Sequence, residues 1–302
     1  MGGRVFGTTV PISKENIKPT LKEFFKELKK IFPNGNLDNT AMLGSAGKKS
    51  ESGDLDVGLD EQVFANLENW RISQEDFDKV FQKIKGRART ATDRQLRRKA
   101  LVELLGTIIE NSTDQIIVDK KSSGTGTLFC QFTQYDKSGE KLDKDVQIDL
   151  IIGDPDWLKF SYYSASYEGN VKGLHRTQLM LSLFLNKEYT FLHNAGVKNK
   201  ETGKFEARTP KEAVTLLSKL YGIEFNQDVL ADYWKLQEFL KDNLDKDELD
   251  KVYDIYLKIL DGIRCDVPND LAEYWLDNQD RLELTGKHLP KESKLWPFRD
   301  ID

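Results

Sequence analysis

The stretch that decides the fold is residues 43–58, which read LGSAGKKSESGDLDVG. Its end alternates between acidic and apolar side chains, with Asp54 and Asp56 on either side of Leu55. Successive side chains of a β-strand point to opposite faces, so the two carboxylates share one face. Neighbouring carboxylates repel each other unless a cation lies between them, and a hard ion such as Mg²⁺ prefers oxygen ligands. The pattern therefore predicts a strand that binds a divalent cation.

The residues that precede this strand predict a phosphate-binding loop. Gly44 allows the backbone to come close to a ligand, and exposed N–H groups beside the Ser45 hydroxyl can hold an anion. Lys48 and Lys49 add positive charge just before the acidic strand. The combination indicates a metal-bound triphosphate. The alternative is a Ser/Gly-rich loop that leads into an edge strand with exposed acids.

A third carboxylate, Asp149, lies in the middle of the apolar run 146–152, VQIDLII. Burying an unpaired carboxylate costs several kcal/mol of folding free energy unless the group becomes neutral. An acid at this place is therefore better explained as a metal ligand than as an incidental residue. Three carboxylates on adjacent strands can hold two metal ions roughly 4 Å apart, the arrangement used for in-line displacement at phosphorus. We therefore expect Asp54, Asp56 and Asp149 to be the catalytic ligands of two Mg²⁺ or Mn²⁺ ions.

These motifs resemble the active-site signature of the nucleotidyltransferase superfamily that includes DNA polymerase beta. The residues that carry the resemblance are Gly44-Ser45, the run SGDLDV at 52–57 and the run VQIDL at 146–150. The resemblance implies a nucleoside triphosphate as the substrate. It also implies that Ser52 takes part in nucleotide binding.

The chain also resembles the X-family polymerases beyond the carboxylates. Residues 162–166, YYSAS, with Asn170 and Arg176 after them, are similar to that family's Tyr-Phe-Thr-Gly-Ser…Asn…Arg run, although Ala165 replaces the Gly. The likeness extends through the following hairpin and helix to about residue 222. It implies that Tyr162 and Tyr163 line the nucleotide sugar, and that Asn170 and Arg176 contact the base or the primer strand. The neighbouring His175 is predicted to be structural.

The resemblance implies an α+β fold with a polymerase beta-like palm, whose mixed or antiparallel sheet carries helices on one face. The palm is predicted over residues 1–160, with a helical insert at about 62–112. A small thumb-like subdomain is predicted over 161–225, and a C-terminal helical lobe over 226–302. Apolar stripes at helical spacing in the lobe predict two paired helices.

Local patterns predict several further elements. Residues 19–32 read as an amphipathic helix that Pro33 ends. Residues 115–119 and 127–135 read as strands that form an antiparallel meander with the Asp149 strand. The run TPKE at 209–212 is a capping box with Pro at the first helical position, which predicts the start of a helix.

A basic cluster within the insert is the predicted nucleic-acid contact. Between Lys83 and Lys99 the chain has eight basic residues and a single acid, whereas its formal net charge is −5. Because the chain as a whole is acidic, an electrostatic contact with nucleic acid would have to be local. We expect Arg94, Arg97 and Arg98 to contact a single-stranded or primer nucleic acid. The alternative is a solvated helix face.

Composition limits the class of protein. Cys130 and Cys265 lie far apart, which fits a reducing compartment, and no apolar stretch is long enough to span a bilayer. We therefore expect a soluble, cytoplasmic protein that does not bind membranes. The 302 residues suffice for one large domain or for two to three subdomains.

The predicted reaction transfers a nucleotide from a nucleoside triphosphate to the 3′-hydroxyl of a nucleic acid and releases pyrophosphate. Only about forty residues precede Gly44, so we expect no DNA-gripping N-terminal domain, and template-independent addition, as by a terminal transferase, stays open. One alternative is transfer to a protein, a tRNA or a small molecule. The alternative outside enzymes is a catalytically inactive module that binds nucleic acid or nucleotides.

Overall fold

The computed structural model describes residues 5–38, 40–88, 91–119, 126–165 and 171–263, together with Cys265, Val267, Pro268 and Leu271. The chain divides into two compact units, Met1–Lys159 and Phe160–Asp302. Helices and a mixed five-stranded sheet make the fold α+β, as the sequence predicts. Every helix in the described part of the chain is too short or too polar to cross a lipid bilayer.

The first unit contains the five-stranded sheet and the helices of the insert. Its elements in chain order are β1 Ile12–Ser13, α1 Lys14–Ile31, β2 Thr40–Met42, β3 Glu51–Ser52, β4 Asp54–Asp60, α2 Gln74–Lys85, α3 Asp93–Ser112, β5 Ile116–Asp119, β6 Thr127–Tyr135 and β7 Lys141–Gly153. Helix α4, Pro155–Ser161, includes the chain position at which the two units divide.

The sheet has the strand order β2-β4-β7-β6-β5. Strands β4 and β7 are parallel, and the other neighbouring pairs are antiparallel. The predicted meander of β5, β6 and the Asp149 strand is therefore confirmed. The parallel pair at the centre matters most for the site, because it sets Asp56 directly opposite Asp149.

Helix α1 packs on this sheet through one apolar face. Phe24 is fully buried and meets the ring of Phe132 on β6 edge to face, with 5.4 Å between the ring centroids. The helix begins at Lys14, five residues before the predicted start, and Pro19 lies inside it. A proline there removes one backbone N–H donor, and burial of the apolar face outweighs that loss. The helix ends at Ile31, close to the predicted stop at Pro33.

The insert between β4 and β5 is helical, as predicted. Two 3₁₀ helices, Glu61–Ala65 and Leu67–Trp70, follow β4 directly, and α2 and α3 come next. Thr92 is the N-cap of α3 and forms a capping box with Gln95. The Thr92 hydroxyl accepts from the backbone N–H of Gln95, and the Gln95 side chain accepts from the backbone N–H of Thr92. The insert thus begins directly after the strand that carries Asp54 and Asp56.

The second unit is mainly helical and contains a small antiparallel sheet. Its elements are α5 Gly173–Asn186, β8 Tyr189–Leu192, β9 Gly196–Asn199, β10 Phe205–Ala207, α6 Pro210–Tyr221, α7 Gln227–Ala231, α8 Tyr233–Asn243 and α9 Lys246–Gly262. The three strands pair in the order β10-β9-β8. The capping box at Thr209 is confirmed, since its hydroxyl accepts from the Glu212 N–H at 3.2 Å.

The two predicted apolar stripes of the lobe are buried in α8 and α9. Leu236 and Leu240 on α8 are buried, as are Val252 and Tyr256 on α9. The sequence pattern thus predicts the buried faces correctly. Helix α9, however, packs mainly along α5, whereas the pattern predicts that it pairs with α8. The predicted division of this unit at 161–225 and 226–302 stays a prediction.

Candidate metal centre

Three carboxylates converge on the central pair of strands. Asp54 and Asp56 lie on β4 and Asp149 lies on β7, and one oxygen of each lies within 4.8 Å of the others. Asp56 faces Asp149 across the parallel pair. The alternation of β4 places Leu55 and Val57 in the core, which leaves both acids of the strand on the opposite face. Sequence-distant acids thus share one small patch of the sheet.

Burial, together with the charge of neighbouring acids, makes Asp56 and Asp149 hard to ionise. Burial first, and then the charge of Asp54, raises the pKa of Asp56 to about 7. Burial and the charge of Asp56 raise the pKa of Asp149 to about 8, although a hydrogen bond from Gln147 opposes the shift. A cation between the three groups would favour their charged forms. The donor set consists of hard carboxylate oxygens, so it fits Mg²⁺ or Mn²⁺.

Gly44 lies against this centre. The N–H of Leu43 donates to the backbone carbonyl of Asp56 at 2.9 Å, which brings the loop before the acidic strand alongside β4. Gly44 has a φ of +65°, and a Cβ at this position would lie 2.7 Å from Oδ2 of Asp56. A side chain is therefore excluded both by backbone conformation and by the carboxylate.

The predicted phosphate loop is a turn rather than the start of a helix. The N–H of Lys48 donates to the carbonyl of Ser45 at 3.1 Å, and the Lys48 ammonium donates to the carbonyl of Gly44 at 3.1 Å. Burial lowers the pKa of Lys48. Lys49 follows in the same loop and is half-buried. The ammonium of Lys48 is thus held beside the glycine that contacts Asp56.

Ser52 is a buried hydroxyl just before the acidic strand. Its side chain is buried on β3, and its Oγ has no hydrogen-bond partner among the described residues. A buried polar atom of this kind has free capacity to bind a ligand. This is the structural observation that bears on the predicted role of Ser52 in nucleotide binding.

Gln147 is a site residue that the sequence reasoning missed. It lies on β7 two residues before Asp149, so both side chains project from the same face of the strand. Its side-chain amide donates to Oδ1 of Asp149 at 2.8 Å, and the residue is 1% exposed. The available signal was a polar residue at period two from an acid within the otherwise apolar run 146–152.

Cys130 on β6 is close to the centre but is not a nucleophile. It pairs in register with Ile148 and is fully buried. Burial and the charge of Asp149 raise the pKa of its thiol far above the usual value. The thiol therefore stays protonated at neutral pH.

Of the residues predicted from the X-family resemblance, Arg176 is structural. It is fully buried, and its guanidinium donates to the carbonyls of Leu230 at 2.6 Å and Phe160 at 2.8 Å. The guanidinium is thus enclosed by the second unit, and the predicted contact with the base or the primer strand stays a prediction. Asn170 lies outside the described residues.

The two tyrosines of the same run differ in exposure. Tyr163 is 43% exposed, whereas Tyr162 is half-buried with its ring centroid 5.7 Å from that of His193. Exposure leaves the Tyr163 ring accessible to a ligand. Their predicted contact with the nucleotide sugar stays a prediction.

His175 has the structural role that the sequence predicts. Its Nδ1 accepts from the backbone N–H of Lys172 at 2.9 Å, so in the neutral ring the proton lies on Nε2. That nitrogen lies 3.2 Å from the sulfur of Cys265, and both residues are buried. The histidine donates to the sulfur and cannot remove its proton in this tautomer.

The basic cluster of the insert is largely used within the fold. Arg98 is 2% exposed, and its Nε donates to Glu61 at 2.8 Å, while Arg94 pairs with the same carboxylate. Burial opposes ionisation of Glu61, but the two arginines outweigh it and lower its pKa. Arg98 is thus buried in an ion pair and Arg94 shares the same partner, while the predicted nucleic-acid contact stays a prediction. Arg97 is exposed above the ring of Phe77.

A comparison of the chain with models of known protein families finds no match, and a comparison with curated proteins finds none either. The resemblance to the nucleotidyltransferase superfamily therefore rests on the quoted motifs. The carboxylate centre and the loop before β4 are the features of the structure that bear on function.

Proposed function

We propose that the chain is a metal-dependent nucleotidyltransferase that transfers a nucleotide from a nucleoside triphosphate to an acceptor hydroxyl and releases pyrophosphate. The observation that carries this proposal is the convergence of Asp54, Asp56 and Asp149 within 4.8 Å on one patch of sheet. Burial and the neighbouring acids raise the pKa values of Asp56 and Asp149, which is costly for a fold that does not use these groups. Ligation of divalent ions would offset that cost, because a cation favours the charged carboxylates.

The roles within the centre follow from position. Asp56 lies against Gly44, and Asp54 begins the strand that follows this loop, so these two acids would hold the ions that also bind the triphosphate. Asp149, directly opposite Asp56, would complete the part of the site where the acceptor hydroxyl loses its proton. Bound Mg²⁺ or Mn²⁺ would neutralise the charge of the triphosphate and of the leaving pyrophosphate.

The loop before β4 supplies the phosphate contacts in this proposal. Gly44 brings the backbone against Asp56 without a side chain, and Ser45 follows it in the turn. Lys48, whose ammonium lies beside the Gly44 carbonyl, adds the positive charge. The unsatisfied hydroxyl of Ser52 offers one further donor to an anionic ligand.

We place the chain among polymerase beta-like enzymes, with the first unit as the palm and part of the second as a thumb-like subdomain. The mixed sheet with acids on its central parallel pair supports the palm assignment. The acceptor in this reading is the 3′-hydroxyl of a nucleic acid. Among the three arginines predicted to contact it, Arg94, Arg97 and Arg98, Arg97 is the exposed one and remains suited to that contact.

A second acceptor class is favoured by one observation. The ion pairs of Arg94 and Arg98 with Glu61 remove most of the arginine charge that was expected to bind nucleic acid. A smaller basic surface suits an acceptor that needs fewer phosphate contacts, such as a protein side chain, a tRNA end or a small molecule. The same metal centre would serve that transfer.

The deciding experiment incubates the full chain with labelled nucleoside triphosphates, Mg²⁺ or Mn²⁺, and a single-stranded oligonucleotide, with and without a template. The test variant is Asp56→Asn, which keeps the shape of the side chain. The control is Asp143→Asn, because Asp143 is an exposed residue of β7 outside the centre.

Oligonucleotide extension that is lost in Asp56→Asn and kept in Asp143→Asn supports a polymerase. Label that appears on protein, tRNA or a small molecule instead supports the second acceptor class. Absence of transfer to every acceptor would refute the enzyme and leave a binding module.

A further inference from the structure

A segment near the N-terminus runs alongside the strand that carries Asp149. Residues 5–11, here called the N-terminal strap, lie next to β7, where Thr9 forms a parallel bridge with Asp145. The N–H of Val10 donates to the carbonyl of Asp145 at 2.9 Å. The strap is thus joined to β7 through backbone contacts at one point.

Three buried glutamines tie the strap to the sheet elsewhere. Gln134 donates to the carbonyls of Val10 at 3.3 Å and Pro11 at 3.2 Å. Gln131 accepts from the hydroxyl of Thr8 at 3.1 Å. Gln147 accepts from the backbone N–H of Val5 at 3.1 Å. The sheet therefore holds the strap with neutral amides, which suit a buried site because they carry no charge.

Gln131 and Gln147 make the same two kinds of hydrogen bond. Gln131 accepts from the strap and donates to Oδ2 of Asp145 at 2.6 Å, and Gln147 accepts from the strap and donates to Oδ1 of Asp149 at 2.8 Å. The two glutamines lie directly opposite each other on β6 and β7. They differ in the carboxylate they hold, because Asp149 belongs to the metal centre and Asp145 does not.

The strap decides which way the Gln147 amide faces. A backbone N–H can only donate, so Val5 requires the amide oxygen on its side. The amide nitrogen must then face Asp149, where it engages Oδ1 and leaves Oδ2 for another ligand. An amide with its direction set in this way holds the carboxylate in one rotamer.

We infer that Gln147 is a positioning residue for Asp149 and that the N-terminal strap sets its orientation through the N–H of Val5. The inference rests on the proposed function in that Asp149 is taken as a ligand of a divalent ion. Groups that hydrogen-bond to metal ligands typically change metal affinity or activity by about 10–100-fold when they are removed. A loss of that size is expected here.

The test measures Mn²⁺ binding to the full chain by isothermal titration calorimetry, with the unfolding temperature of the metal-free protein as the second readout. Gln147→Met removes the amide donor and keeps a similar length. Gln131→Met is the matched control, since it removes an equivalent strap contact. We expect Mn²⁺ affinity to fall about 10–100-fold in Gln147→Met and to change less than about twofold in Gln131→Met.

A second pair of variants tests the strap itself. Val5→Pro deletes the N–H that orients the Gln147 amide, and the Val5 side chain is 36% exposed. Thr8→Val removes the strap contact with Gln131 and serves as the control. Val5→Pro is expected to weaken Mn²⁺ binding several-fold, and Thr8→Val to leave it unchanged.

Equal losses in Gln147→Met and Gln131→Met would show that the glutamines only anchor the strap, and would overturn the inference. So would wild-type Mn²⁺ affinity in Gln147→Met. If the wild-type chain binds Mn²⁺ but transfers no nucleotide, the proposed function fails, while the Mn²⁺ affinities of these variants still test the role of Gln147. If the wild-type chain binds no Mn²⁺, both fail.

Discussion

Replacing Gly44 by alanine should damage the metal centre through a single methyl group. The new Cβ would lie 2.7 Å from Oδ2 of Asp56, whereas ordinary van der Waals contact begins at 3.4 Å. Either the carboxylate or the loop must therefore move by about 0.7 Å. Catalytic groups need to be held to about 0.5 Å, so a shift of this size is enough to disturb an ion held by Asp56.

Gly47 provides the control for backbone strain. It has a φ of +75°, close to the +65° of Gly44, but a Cβ at this position meets nothing within 4 Å. Each alanine variant should lose about 1–2 kcal/mol of stability because a left-handed backbone is unfavourable for a residue with a Cβ. The contact with Asp56 is what distinguishes Gly44→Ala from Gly47→Ala.

The assays are the rise in unfolding temperature on addition of Mn²⁺ and the rate of nucleotide transfer. We expect Gly44→Ala to lose most of the Mn²⁺-induced rise and about 10–100-fold in rate, since a misplacement near 1 Å can cost about 100-fold. Gly47→Ala should keep both within about twofold. Equal behaviour of the two variants, or wild-type Mn²⁺ binding in Gly44→Ala, would refute the reasoning.

Three further predictions concern charge. The pKa values are raised to about 7 for Asp56 and about 8 for Asp149. The folded state therefore binds more protons than the unfolded state above pH ~4. The free energy of unfolding should consequently fall as the pH rises from about 4 to 8. Thermal unfolding with EDTA and with Mg²⁺ tests this, and Mg²⁺ should stabilise most at the upper end. Arg98→Met should cost about 1.5–3 kcal/mol in a denaturant titration because Glu61 loses one of its two arginine partners, whereas Arg97→Gln should leave stability unchanged and reduce the salt dependence of oligonucleotide binding. Arg176→Met should cost about 3 kcal/mol in the same titration, since buried carbonyls lose their donor, and an unchanged midpoint would contradict its structural role.

Local patterns predicted the elements that depend on neighbouring residues. The alternation around Leu55 identified β4, and the Thr209 capping box identified the start of α6, because strand periodicity and helix caps are set within a few residues. The start of α1 was placed too late. The predicted range begins at Pro19, whereas the helix extends back to Lys14 and packs on the sheet through Phe24.

Residue type alone could not separate buried, ion-paired arginines from exposed ones. Arg94 and Arg98 were grouped with Arg97 because all three are close in sequence. Arg94 and Arg98 both pair with Glu61, which lies more than thirty residues earlier in the chain. The segment that directly follows β4 brings Glu61 next to α3. An ion pair between distant positions leaves no signal in the spacing of one cluster.

The sequence by itself determined the chemistry that is available: two acids on one face of a strand, a third in an apolar strand, and a glycine-serine loop before them. The tertiary structure decided which groups meet. The parallel pairing of β4 and β7 sets Asp56 opposite Asp149, and the strap directs the Gln147 amide toward that same acid. The physical reason is that side-chain direction along a strand has a local period of two residues, whereas strand order and register depend on burial across the whole sheet.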